Sequence, residues 1–190
     1  ATAIAARVDD VTLAAHQIAM TMFLFLALVL DALAVPAQTL VAEELGRGGS
    51  GAPDLARRVV RLSLVAATAI ALLVAATSSL LPQVFTNDPA VASRATSALL
   101  LLAVLVLPGA VAFADDGVLI GAGDYRFLGV AAFGYLVAVA PIAVAVLATP
   151  SLGIAGIWIG LVVWMVLRAV VNTLRVRHVL PTRSGTRSVR

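Results

Sequence analysis

No cysteine occurs among the 190 residues, so neither a disulfide nor a thiolate metal site can form. Lysine is missing as well, and all thirteen basic residues are arginine. That removes Schiff-base chemistry and the lysine on which a Walker-type phosphate loop depends. The stretch Gly46-Arg47-Gly48-Gly49-Ser50-Gly51, closed by Pro53, is therefore read as a flexible loop. The two histidines, His16 and His178, fall on different segments and are too few for a zinc cluster. No Ser/His/Asp set or paired-acid site assembles, so the chain is read as a non-enzyme without a cofactor. Charge is scarce too: 12% of residues are charged, against roughly 25% in a soluble domain.

What the chain has in quantity is apolar side chains, 62% of the total, with a mean hydropathy of +1.07. A membrane-spanning helix needs about 20 such residues in a row. Five stretches qualify: Thr12–Ala42, Val59–Leu81, Ala95–Ile120, Phe127–Leu147 and Leu152–Leu174. The short apolar stub Ala1–Ala6, followed at once by Arg7, Asp9 and Asp10, reads as the tail of a sixth, cut within a helix. It lacks the basic region and cleavage site of a signal peptide. The expected fold is all-α, a polytopic bundle in the lipid bilayer. Its parts are a helix end and outer loop (1–10), the transmembrane bundle (11–174) and a basic cytoplasmic tail (175–190).

The arginines segregate between alternate connections. Arg47, Arg57, Arg58 and Arg61 follow the first span, Arg126 follows the third, and Arg175, Arg177, Arg183, Arg187 and Arg190 occupy the tail. The opposite connections hold only Arg7 and Arg94, beside Asp9, Asp10 and Asp88. By the positive-inside rule the arginine-rich ends, and with them the C-terminus, are cytoplasmic. Topology accounts for the basic excess, so nucleic acid is not expected as a partner.

Against this background the acids inside the spans stand out. A carboxylate in lipid costs on the order of 2.5–3.5 kcal/mol on insertion scales, and so marks an ion or substrate path or a protein partner. Asp31 interrupts the first span; Asp115 and Asp116 interrupt the third. Each lies within two turns of a proline, Pro36 or Pro108, whose missing N–H bends a helix and frees a carbonyl, the arrangement of broken-helix ion sites. Pro141 bends the fourth span without an acid nearby. Residues one apart on a helix diverge by about 100°, so one of Asp115 and Asp116 is expected to face inward. The other readings are a structural hydrogen bond for Asp31 and a loop-capping role for the pair. Gly156 and Gly160 have the spacing of a close helix contact. Trp158 and Trp164 read as filler or lipid contacts, and Arg168 as a side chain that snorkels to the interface.

Several strings resemble the multidrug and toxic compound extrusion (MATE) family. Leu13-Ala14-Ala15-His16-Gln17-Ile18-Ala19 resembles its eighth helix, and Leu30-Asp31-Ala32-Leu33-Ala34, with Gln38 and a Leu45-Gly46 exit, looks like its DinF-like branch. Val84-Phe85-Thr86-Asn87-Asp88-Pro89-Ala90-Val91 and Asp116-Gly117-Val118-Leu119-Ile120-Gly121-Ala122-Gly123-Asp124 are similar in the same order. Beyond Leu128 the likeness is one of hydropathy and helix count.

The resemblance implies a twelve-helix transporter of two six-helix lobes. This chain would be the C-terminal lobe, lacking its N-terminal partner lobe. It implies cation-coupled antiport, with proton or sodium as coupling ion, and export of small amphipathic or cationic compounds by alternating access across the cell (inner) membrane. The coupling and substrate candidates are Asp31, Asp116, Asp115, Gln38 and Gln17. The aspartate on which DinF-like members chiefly rely belongs to their first helix, which this chain does not contain. Competing readings are a lipid-linked oligosaccharide flippase of the same superfamily and an inactive isolated lobe.

Overall fold

The computed structural model describes residues 1–180, and among them every regular element is helical. The order is α1 (Thr2–Val8), α2 (Asp10–Gly46), α3 (Ala52–Thr77), α4 (Leu81–Phe85), α5 (Pro89–Gly121), α6 (Tyr125–Ala148) and α7 (Gly153–Val179), with one 3-10 turn at Pro150–Leu152. Five of these, α2, α3, α5, α6 and α7, are long and apolar enough to cross a membrane. They coincide with the five expected spans and extend past most of their ends. The tail arginines Arg183, Arg187 and Arg190 lie outside the described residues.

Helix starts follow local chemistry. Asp9 caps α2, its carboxylate accepting from the Thr12 N–H at 2.7 Å. Asp88 caps α5 by accepting from Ala90 N–H at 2.8 Å, with Pro89 in the first helical position. The Thr86-Asn87-Asp88-Pro89 string is thereby a helix start, since capping side chains satisfy N–H groups that have no partner inside the helix. Arg94 of α5 ties the two starts together, donating to Asp9 Oδ1 at 2.5 Å and Thr12 Oγ1 at 2.6 Å. α2, α5 and α6 each continue as one helix through Pro36, Pro108 and Pro141. A proline removes one hydrogen bond and bends the axis; the rest of the ladder carries the helix on.

α5 is the central post, packed by α2, α3 and α7, while α6 rests chiefly on α7. Its inward residues include Leu99, Leu102, Ala110 and Ala112, all fully buried. The stub α1 is part of this core: Ala5 is fully buried, and Thr2 Oγ1 lies 3.3 Å from Nε2 of the buried His16. Trp158 is also wholly enclosed, with its ring centroid 5.9 Å from that of His16, so it is core filler and touches no lipid.

The tightest crossing is between α2 and α5. A Cβ on Gly117 would sit 2.5 Å from the Ala34 carbonyl oxygen, and one on Gly121 would sit 2.5 Å from the Gln38 carbonyl oxygen. No side chain fits there, and the backbones approach as closely as small residues at four-residue spacing allow. The pair Gly156 and Gly160 does similar service between α7 and α6, where added Cβ atoms would lie 3.1 Å from Val146 Cγ2 and Ile142 Cγ2.

Candidate functional site

The intramembrane acids divide into two settings. Asp115 and Asp116, near the end of α5, both reach α7. Asp115 accepts from the Thr173 hydroxyl at 2.5 Å. Asp116 forms an ion pair with Arg168 and accepts from Asn172 Nδ2 at 2.6 Å. Asn172, fully buried, in turn accepts at Oδ1 from the Tyr135 hydroxyl of α6 at 2.7 Å. A chain of polar groups thus links α5, α7 and α6 through otherwise apolar packing.

The expectation that only one acid of the pair faces inward is corrected here. Both lie inside the bundle, on two flanks of α7, because the roughly 100° between neighbouring residues is less than the sector that α7 and its neighbours cover. Arg168 is also not a snorkelling side chain. Its guanidinium is drawn inward onto Asp116 and lies 5.1 Å from the Phe113 ring centroid and 5.7 Å from that of Trp164. Cation–π contact of this kind holds an arginine in an apolar setting. Asn172, Thr173 and Tyr135 were not singled out from sequence, and Arg168 was read there only as an interface side chain. The available signal was the polar run Arg168, Asn172, Thr173 and Arg175 at helical spacing within an apolar span.

Five residues of the string from Asp116 to Asp124 have a defined place in the fold. Asp116 engages α7, Gly117 and Gly121 admit α2, and Gly123 turns the chain with φ +76°, a conformation only glycine adopts without strain. Asp124 accepts from Arg175 Nε at 2.6 Å, and that guanidinium rests 5.0 Å from the Phe127 ring centroid.

Asp31 stands apart. It is exposed on α2 and has no hydrogen-bond or ion-pair partner among the described residues. Gln17 is exposed on the same helix and Gln38 is half-buried. The three positions are separated by fourteen and seven residues. Seven residues fall about 20° short of two full turns, so they share one stripe. Leu24, Leu28 and Val35 occupy the same exposed surface.

Two cavities bear on the chemistry. One, of 580 Å³ at the arginine-rich end between α3, α5 and α7, is lined by Asp115 and Thr173 but also by Arg57, Arg61 and Arg177. A cation is poorly matched to that lining. The other, of 370 Å³ between α1, α6 and α7, is apolar, with Ile142, Ile157 and Trp164 in its wall. No group of three or more metal-binding side chains occurs among the described residues.

The family model MatE matches residues 1–147. Protein DETOXIFICATION 44, chloroplastic, of Arabidopsis thaliana is 33% identical over 187 residues, covering 97% of this chain and 34% of that protein. The probable multidrug resistance protein NorM of Pasteurella multocida is 30% identical over 175 residues, covering 87% of this chain and 37% of that protein. The multidrug resistance protein MdtK of Edwardsiella ictaluri is 27% identical over 178 residues, covering 88% and 38% respectively. No solved structure matches the chain. The chain spans about a third of the length of the relatives it matches. A family match over most of the chain, five spanning helices and a polar network buried among them agree: the chain belongs to the MatE family.

Proposed function

We propose that this chain forms one lobe of a cation-coupled efflux transporter whose substrates are small organic cations or other amphipathic compounds. The observation that carries the reading is Asp31: an acid on an exposed stripe of a membrane helix, flanked by Gln17 and Gln38, with no partner among the described residues. Facing lipid, such a carboxylate would be costly. Facing a cavity closed by the rest of a protein about three times as long, it is a site for a cation. The multidrug names of the bacterial relatives favour the same reading.

In this mechanism ionised Asp31 holds the substrate's positive charge, Gln17 and Gln38 supply hydrogen bonds, and exposed leucines of the stripe contact its apolar part. Binding of a proton, or of sodium in its place, cancels the charge and releases the substrate. Alternating access follows if the two charge states favour different conformations. Asp116, already neutralised by Arg168, serves as a conformational tie between α5 and α7 that a coupling ion can loosen. The positive-inside rule puts the arginine-rich end and the C-terminus on the cytoplasmic side of the cell membrane. The test is Asp31→Asn in the intact protein, read as efflux of a cationic dye at matched expression. The expected result is a loss of about tenfold or more; unchanged efflux would sink the proposal.

A further inference from the structure

The 580 Å³ cavity at the arginine-rich end is not needed for a cationic substrate, and its lining suits a different ligand. Arg57 and Arg61 reach it from the first turns of α3, and Arg177 reaches it from the last turn of α7. Arg57 is partnered by Asp54, whereas Arg61 and Arg177 have no ion-pair partner among the described residues. The acid in the wall, Asp115, accepts the Thr173 hydroxyl at 2.5 Å and feels the charge of Arg177, so the lining holds three arginines against one acid. Val60, Val111 and Val176 supply the apolar part of the lining.

A second feature joins it. A groove of 290 Å³ runs along α7 past Ala169, Val170 and Leu174, and shares Val111, Thr173 and Arg177 with the basic cavity. Ala169 lies two turns along α7 from Arg177, toward the middle of the span. A basic pocket at the end of the helices therefore opens into an apolar channel that leads into the bilayer. The ligand of that shape and polarity has an anionic head and a hydrocarbon chain.

We propose that this composite site binds an anionic phospholipid, with the headgroup phosphate between Arg61 and Arg177 and one acyl chain along the groove beside Ala169 and Leu174. Arginine is suited to this by its forked donors, which match phosphate oxygens. Basic pockets between spanning helices are recognised headgroup sites. The lipid would bridge α3 and α7, whose arginine-rich ends share one apolar cluster with Val41 of α2 and Val118 of α5 around Ala56 and Leu180. A free phosphate shares the chemistry of the headgroup, and the groove beside Ala169 and Leu174 is what selects the lipid over it.

The experiment uses the intact protein in neutral detergent, titrated with phosphatidylglycerol, phosphatidylcholine or inorganic phosphate and read by native mass spectrometry and thermal melting. Phosphatidylglycerol is expected to bind and raise the melting temperature, and phosphatidylcholine and inorganic phosphate to do neither. Arg61→Ala/Arg177→Ala should weaken phosphatidylglycerol binding about twenty-five-fold, since each arginine near an anionic lipid is worth roughly a factor of five. Arg126→Ala, at the same end but outside the cavity, should leave binding unchanged. If the double variant does not fold, single Arg61→Ala, an exposed side chain, should still lose about fivefold. Ala169→Phe, placed to block the groove, should weaken phosphatidylglycerol without creating affinity for inorganic phosphate. Equal phosphatidylglycerol affinity in the wild type and in Arg61→Ala would overturn the site. Inorganic phosphate binding as tightly as the lipid would overturn the assignment to a phospholipid.

Discussion

The end of α5 and the middle of α2 each place acid in the membrane, and they handle it differently. On α5, Asp115 and Asp116 are satisfied from α7 by a hydroxyl, an amide and a guanidinium. On α2, Asp31 is exposed and makes none of these contacts. A buried charge whose partners are all supplied by the same fold is a fastener, and removing one partner strands the other. An acid left without a partner is available to something that comes and goes. The number of acids in a membrane chain thus says less about a binding site than which of them lack partners.

The largest effect should come from unpairing the fastener. Arg168→Ala leaves Asp116 as an uncompensated charge in the bundle, and breaking a buried pair from one side costs about 3–5 kcal/mol. A marked fall in the melting temperature of the intact protein, or in folded yield, would show it. Arg168→Met combined with Asp116→Asn should recover most of the loss. Equal damage in single and double variants would mean that the pair is not a fastener.

Next comes the crossing that sets α2 against α5. Gly117→Val pushes a side chain into the Ala34 carbonyl, where even a Cβ would be at 2.5 Å. Overpacking of this kind costs about 1–3 kcal/mol. Gly129→Ala on α6, where a Cβ meets nothing within 4 Å, is the matched control and should melt like the wild type.

Asp31→Asn sharpens the contrast from the other side. It should leave the melting temperature unchanged or slightly raised, because it removes a charge without removing a contact among the described residues, while on the proposed function efflux falls. A substantial drop in stability instead would show that Asp31 is fastened after all.

The smallest effect concerns Asp9, outside the spans. The hydrogen bond from Arg94, then that from the Thr12 N–H, hold its carboxyl below the ordinary range. A depressed folded-state value means that its contribution is complete above the unfolded value of about 3.9 and fades as pH falls through the folded one. Melting should therefore show no dependence on Asp9 between pH 5 and 8. Asp9→Asn should differ from wild type there by only a little, as an exposed pair does, and the two should converge in strong acid.

Read alone, the sequence determined the five spans and the positions of the acids inside them. Hydropathy and helical periodicity are properties of each segment by itself, and lipid enforces them residue by residue. It also pointed to the Asp116 to Asp124 string, through its likeness to a family. Only the tertiary structure decided which acids are paired. Partnership depends on what a second helix brings to the same depth and face, and Arg168, Asn172 and Thr173 lie more than fifty positions from the acids they meet. The same holds for the cavity of Arg57, Arg61 and Arg177. In sequence they were topology markers on two separate helices, and packing of α3 and α7 on α5 gathered them around one space.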